Sequence, residues 1–164
     1  MRYFKVRAED IANGPGIRVS IWVQGCNRHC KDCFNPETWD FNGGRIFNRR
    51  VKIQFLELAR PNKIAGFSIL GGEPLQQGKE MLDLVKSMKE EFPNKTIWMW
   101  TGYKYEELDD EQLEIIKYID VLVDGEYIST QKTPNRRFAG SGNQRIIDIQ
   151  STLKAGKLQL STLF

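Results

Sequence analysis

No stretch of the sequence approaches the ~18–20 apolar residues that a membrane-spanning helix needs. The first residues, Met1 to Val6, lack the apolar core of a signal peptide, so the cytoplasm is the expected location. No repeat, low-complexity segment or evident linker divides the 164 residues, and one main domain is expected over residues 1–150, with 151–164 as a C-terminal tail. Charge of one sign is also missing: 24 Lys and Arg face 21 Asp and Glu, for a net charge of +3, and the two signs are interspersed. That balance gives no reason to expect a nucleic-acid partner. The phosphate-loop pattern Gly-x4-Gly-Lys-Ser/Thr is absent, which removes one large class of nucleotide enzymes. Histidine occurs once, at His29, and cysteine three times.

All three cysteines fall in one short segment, Gln24-Gly25-Cys26-Asn27-Arg28-His29-Cys30-Lys31-Asp32-Cys33-Phe34-Asn35. A secreted disulfide framework would usually be even in number and dispersed. Thiols this dense in a cytosolic chain read as metal ligands. The spacing Cys-x3-Cys-x2-Cys lets a loop wrap a compact inorganic core. Four cysteines saturate a 4Fe–4S cluster, whereas three leave one iron with a vacant position. The alternative is zinc bound by the three thiols with His29 or a distant residue. Structural zinc usually takes four ligands in paired spacings, so the pattern favours iron and sulfur.

Around this segment, strands and helices alternate. Ile17, Val19, Ile21 and Val23 recur with a period of two against Arg18, Ser20, Trp22 and Gln24. Further strands are expected at 67–70, 97–100, 119–123 and 145–149. Helical stripes run through Val51, Phe55 and Leu58, through Met81, Val85 and Met88, and from an Asp109/Gln112 capping box through Leu113 and Ile116. This predicts an α/β fold with a mostly parallel sheet of about five strands, short of the eight of a closed β/α barrel. Ligands bind such sheets at the carboxyl ends of strands. There the sequence places Cys26 to Cys33, Gly71 to Pro74, Thr101 to Tyr103, and Asp124-Gly125.

Gly71-Gly72-Glu73-Pro74 is the second candidate site. Paired glycines let backbone approach a ligand, and their carbonyls with the Glu73 carboxylate suit a protonated amino group. An ordinary strand-to-helix turn would also explain the glycines alone. Asn13-Gly14-Pro15-Gly16 reads as a turn, with Arg18 beyond it able to point into the site. The segment Asn135 to Arg145, rich in glycine and arginine, reads as a solvated loop.

The cysteine loop together with Gly-Gly-Glu-Pro resembles the radical S-adenosylmethionine (SAM) enzymes. A finer resemblance, over roughly residues 1–150, is to the activating proteins of anaerobic ribonucleoside-triphosphate reductases. It is carried by Asn13 to Arg18, Gly25-Cys26 through Trp39, Trp100 to Tyr103, Asp120 to Gly125, and Gly140 to Asp148. The resemblance implies a partial, open β/α barrel of radical SAM type. It also implies an oxidoreductase whose Cys26, Cys30 and Cys33 hold a 4Fe–4S cluster with SAM on the open iron. Reductive cleavage of SAM would give a 5′-deoxyadenosyl radical, which abstracts hydrogen from a glycine of the partner reductase to leave a glycyl radical. Asp32, Cys33 and Phe34 then lie where the family contacts the adenosyl portion. Gly71, Gly72 and Glu73 hold the methionine amino group, and Asp124 is a further candidate at a strand end. Many radical SAM enzymes carry an aromatic residue before the third cysteine. Here it is Asp32, so an adenine contact would come from backbone or from Phe34. A flavodoxin-type electron donor is implied, with no membrane and no nucleic acid. The rival readings are an activase of the pyruvate formate-lyase type and, in a different class, a non-enzymatic iron–sulfur or zinc interaction module.

Overall fold

The computed structural model describes residues 1–164. A single mixed sheet of seven strands forms the frame, in the order β3-β1-β2-β4-β5-β6-β7. Strands β1 (Arg2–Asp10) and β2 (Ile17–Gln24) are antiparallel, and β3 (Arg45–Ile46) pairs antiparallel on the outer side of β1. The middle is parallel: β2, β4 (Ile64–Gly71), β5 (Thr96–Trp100) and β6 (Val121–Asp124). Strand β7 (Arg145–Asp148) closes the order antiparallel to β6.

The five expected strands are all present as β2, β4, β5, β6 and β7, and the sheet gains two more. Connections explain the strand directions. Parallel neighbours need crossovers, and these contain α1 (Arg49–Glu57), α2 (Lys79–Glu91) and α3 (Asp110–Ile116). The link from β1 to β2 is a six-residue turn over 11–16, and the link from β6 to β7 holds no α-helix. Both therefore return the chain antiparallel. The residues expected as a tail contain most of α4 (Ile149–Ala155), capped by Asp148 at its start and by Gly156 in the left-handed region at its end. Beyond α4, the Ser161 amide donates to the Ile146 carbonyl at 2.8 Å, and the Phe164 ring lies 5.4 Å from that of Trp98. No helix is long and apolar enough to cross a membrane.

Period-two alternation sorts the central strands into two faces. Val19, Ile21 and Val23 of β2, Phe67 and Ile69 of β4, and Ile97 and Met99 of β5 are fully buried in one core beneath the helices. That core also takes Phe55, Met81, Leu84, Met88 and Ile116 from the helices. The opposite face carries Arg18, Ser20 and Trp22 of β2, Ser68 and Leu70 of β4, and Trp98 and Trp100 of β5. Register arranges these side chains in rows: Ser20 lies beside Ser68, which lies beside Trp98, and Trp22 lies beside Leu70.

Arg18 occupies the row at the amino ends of the parallel strands, beside Gly66. It is fully buried. Its guanidinium donates to the Ser68 hydroxyl at 2.8 Å, the Phe67 carbonyl at 2.7 Å and the Thr96 carbonyl at 2.9 Å. Burial pulls its pKa down to about 10, against the opposing pull of Asp120 and Asp10. The expectation that Arg18 points into the site is corrected: it ties three strands together at the end of the sheet remote from the cysteines.

Candidate functional site

Three strand ends converge. The Gly25 amide donates to the Thr38 carbonyl at 2.7 Å and the Cys26 amide to the Trp39 carbonyl at 3.1 Å, so the cysteine loop closes on itself directly after β2. The Gly72 amide donates to the Val23 carbonyl at 2.9 Å and the Glu73 amide to the Gly25 carbonyl at 2.9 Å. These bonds fasten the Gly-Gly-Glu loop after β4 onto the root of the cysteine loop. Gly71 makes that junction possible. Its φ is +118°, and a Cβ there would lie 2.5 Å from the Val23 carbonyl oxygen. Gln76 joins the same loops, since its side-chain oxygen accepts from the Asn27 amide at 3.1 Å and its nitrogen donates to the Tyr103 hydroxyl at 2.9 Å.

Between these loops lies a cavity of about 490 Å3, within the ~300–1,000 Å3 usual for small-molecule sites. Cys26, Cys30, Cys33, Phe34, Gly71, Gly72 and Glu73 all line it, although up to 47 residues separate them in sequence. Asp32 and Asp124 do not. Asp32 is exposed, with φ +58°, a left-handed turn that aspartate tolerates better than most residues. Asp124 is fully buried and already engaged. It accepts from Arg145 at 3.0 and 2.5 Å and from the Tyr105 amide at 2.8 Å. His29 is exposed, its ring stacked on that of Trp39 at 4.3 Å.

The three thiols are only partly buried and none is in a disulfide. In the metal-free chain burial raises the pKa of Cys26, while the amides of Arg28 and His29 donate toward its sulfur and pull the other way. Burial, followed by the charge and hydrogen bond of Glu126, pushes Cys30 up to about 11, opposed by the Tyr127 amide. The Asn35 amide donates to the Cys33 sulfur at 3.4 Å. Amides aimed at thiolate sulfur tune iron–sulfur centres. The side chains do not gather around a point that would hold a single metal ion, and a cluster needs its three thiolates at separate corners instead. Three thiols on one loop, with no fourth cysteine in the sequence, fit a 4Fe–4S cluster with one iron free of protein sulfur.

Glu73 is essentially fully buried. Its carboxylate accepts from the Thr101 hydroxyl at 2.7 Å, the Gly102 amide at 2.8 Å and the Leu75 amide at 3.1 Å. Burial raises its pKa, while these three donors and the charge of Arg28 oppose the rise. The site thus holds a desolvated, oriented carboxylate at the end of β4.

The chain between β6 and β7 forms the remaining wall, through Tyr127, Phe138, Ala139, Gly140 and Gln144. Gln144 pins it, donating to the Gly125 carbonyl at 2.9 Å and accepting from the Gly140 amide at 2.7 Å, while Trp100 donates to the Phe138 carbonyl at 2.7 Å. The reading of Asn135 to Arg145 as a solvated loop is corrected, since Phe138, Ala139, Gly140 and Gln144 line the cavity. The segment's aromatic and glycine positions cover the site, and Phe34 packs on Tyr127 at 4.6 Å between ring centres. Arg28 and Tyr127 were given no role from sequence, and Thr101 and Gln144 were named only within longer segments. Thr101 carried a signal in its place at the end of a strand, and Gln144 in the Gly140 to Asp148 run.

The family model for a 4Fe-4S single cluster domain matches residues 12–147. The anaerobic ribonucleoside-triphosphate reductase-activating protein of Vibrio cholerae is 39% identical over 150 residues, covering 89% of this chain and 97% of that protein. Those of Escherichia coli K12 and Enterobacteria phage T4 are each 38% identical over 148 residues, with 88% and 89% of this chain covered and 96% and 93% of theirs. A family model spanning the cysteine loop and identity of this extent leave one placement: the chain belongs to the family of anaerobic ribonucleoside-triphosphate reductase-activating proteins, built on a 4Fe-4S single cluster domain.

Proposed function

We propose that this protein is a radical SAM activase that installs a glycyl radical in an anaerobic ribonucleoside-triphosphate reductase. The carrying observation is the convergence of three thiols and the Gly71-Gly72-Glu73 loop on one cavity. A carrier or structural iron–sulfur module needs no second ligand loop. On this reading the open sheet is the partial β/α barrel of radical SAM enzymes. The protein works in the cytoplasm, with a flavodoxin-type protein as its electron source.

Cys26, Cys30 and Cys33 would hold a 4Fe–4S cluster, and the iron without a cysteine would take SAM. When bound, this pair would supply a 5′-deoxyadenosyl radical by one-electron reductive cleavage of the sulfonium to methionine, an acceptor for a hydrogen atom of a partner glycine. The chain's own residues bind, orient and exclude water. The backbone of Gly71 and Gly72, with the Glu73 carboxylate, receives the methionine amino group. Thr101 and Gly102 hold that carboxylate in place. Phe34, backed by Tyr127, borders the adenosyl side. Asp32 supplies the left-handed turn that sets Cys33 and Phe34, and Asp124 steadies the end of β6 through Arg145. The wall from Tyr127 to Gln144 keeps water from the reacting centre.

Anaerobic reconstitution should load about four irons per chain. Under dithionite the protein should convert SAM to 5′-deoxyadenosine, and Cys30→Ser should abolish this while remaining folded by circular dichroism. Cleavage retained in Cys30→Ser, or a colourless protein without a reducible centre, would overturn the reading.

A further inference from the structure

One cationic side chain lining the cavity carries a buried donor that no acceptor meets. Arg28 sits between the first two cysteines, and its side chain turns back across the site. The guanidinium carbon lies 4.8 Å from the centre of the Tyr103 ring. The side chain runs against Gly102, where an added Cβ would lie 2.5 Å from Nε and 2.6 Å from Cδ. A side chain at 102 would displace it. Nε is buried and has no hydrogen-bond partner. A buried, unpaired guanidinium donor is costly unless a ligand supplies an acceptor.

Glu73 approaches the same glycine. A Cβ on Gly102 would lie 3.4 Å from its Oε2, and the two side chains attract each other. Both line the cavity. An anionic and a cationic group thus both approach Gly102, at the end of β5. An α-amino acid headgroup carries the complementary pair, an ammonium and a carboxylate.

Resting on the SAM reading above, we propose that Arg28 binds the carboxylate of the SAM methionine moiety, opposite the Gly71-Gly72-Glu73 loop that receives its amino group. Nothing about the cysteine spacing requires arginine at this position. It is a binding determinant carried by this chain inside its cluster loop. Tyr103 and Gln76 act behind it: Gln76 holds the Tyr103 hydroxyl, and the Tyr103 ring supports the guanidinium. A planar guanidinium so supported is preorganised for a carboxylate, which lysine matches only as a point charge.

The test is a binding cycle read by anaerobic equilibrium dialysis without reductant, so that no turnover occurs. Wild type, Arg28→Ala and Arg28→Lys, matched for iron content, are titrated with SAM and with decarboxylated SAM. The expected result is that Arg28→Ala weakens SAM by roughly tenfold or more, the usual loss for a charge-assisted hydrogen bond. Its affinity for decarboxylated SAM should stay within about twofold of wild type, and Arg28→Lys should recover part of the loss. If Arg28→Ala lowers both affinities equally, the residue only shapes the loop and the proposal is wrong. Unchanged SAM binding also overturns it. Should Arg28→Ala lose its cluster, Arg28→Gln carries the same comparison, since it keeps a stem over Tyr103 and removes the charge. Failure of the underlying reading looks different: the wild type itself would not bind SAM.

Discussion

At the scale of single residues, the cysteines owe their arrangement to neighbours that carry no sulfur. Gly71 is the sharpest case. Strand β4 ends directly against β2, with Gly71 opposite Val23 in the register. The left-handed backbone at 71 and the absent side chain together let the Gly-Gly-Glu loop reach the Gly25 carbonyl. Gly71→Ala should therefore cost about 2–4 kcal/mol, combining the penalty for a left-handed non-glycine residue with overpacking against backbone. Equilibrium urea unfolding would measure it, and a loss below about 1 kcal/mol would show that the junction yields more easily than argued here. Arg28 differs from Gly71 in how it could be foreseen. A glycine pair after an apolar strand advertises a close approach. An arginine in a polar loop advertises nothing until three loops are seen to fold around it. Tyr127 escaped notice for the same reason: its role depends on its contact with Phe34, far away in the sequence.

At the scale of elements, the buried strands were readable because β2 alternates with a period of two and β5 and β6 are short, nearly continuous apolar runs. Capping chemistry was equally direct at α3, where Asp109 accepts from the Gln112 amide at 2.8 Å and Gln112 accepts from the Asp109 amide at 3.1 Å. Strand β1 was not readable. Its residues are intermediate or exposed along most of its length, so Arg2 to Asp10 carries no apolar rhythm. Strand β3, with two residues, is set by pairing alone. The direction of β7 was hidden because nothing local marks a long connection without a helix. The seam between β6 and β7 has its own electrostatic tie, in which Arg145 bridges Asp124 at 2.5 Å and Glu106 at 2.7 Å. Hydrogen bonding to Arg145 lowers the Glu106 pKa from 4.5 to about 2. A lowered carboxyl pKa stabilises the fold above about pH 4.5, and the gain is lost as pH falls toward about 2. The Glu106 side chain is 60% exposed, so solvent screening keeps the gain at or below ~1 kcal/mol. Glu106→Gln should thus lower the Tm slightly at neutral pH and leave it unchanged near pH 2. An equal decrease at both pH values would remove Glu106 ionisation as the cause.

At the scale of the whole molecule, the two faces of the sheet divide the labour. The helical face is apolar and tightly filled, and it keeps the parallel strands in register so that their carboxyl ends meet. The other face is a polar and aromatic surface, anchored by Arg18 at one end and opening into the cysteine-lined cavity at the other. The segment from Tyr127 to Gln144 walls that cavity. The C-terminal residues support the wall from below, with Phe164 at 5.2 Å from Phe138 and 5.4 Å from Trp98. Family membership and site geometry lead to the same proposed outcome, a radical delivered to a glycine of a partner reductase. The most direct test is electron paramagnetic resonance of the reconstituted protein mixed anaerobically with SAM, dithionite and an anaerobic ribonucleoside-triphosphate reductase. A glycyl-radical doublet is expected on the reductase, absent when Cys30→Ser replaces the wild type. A doublet that appears only when pyruvate formate-lyase is the partner, or no doublet with either, would contradict the proposed outcome.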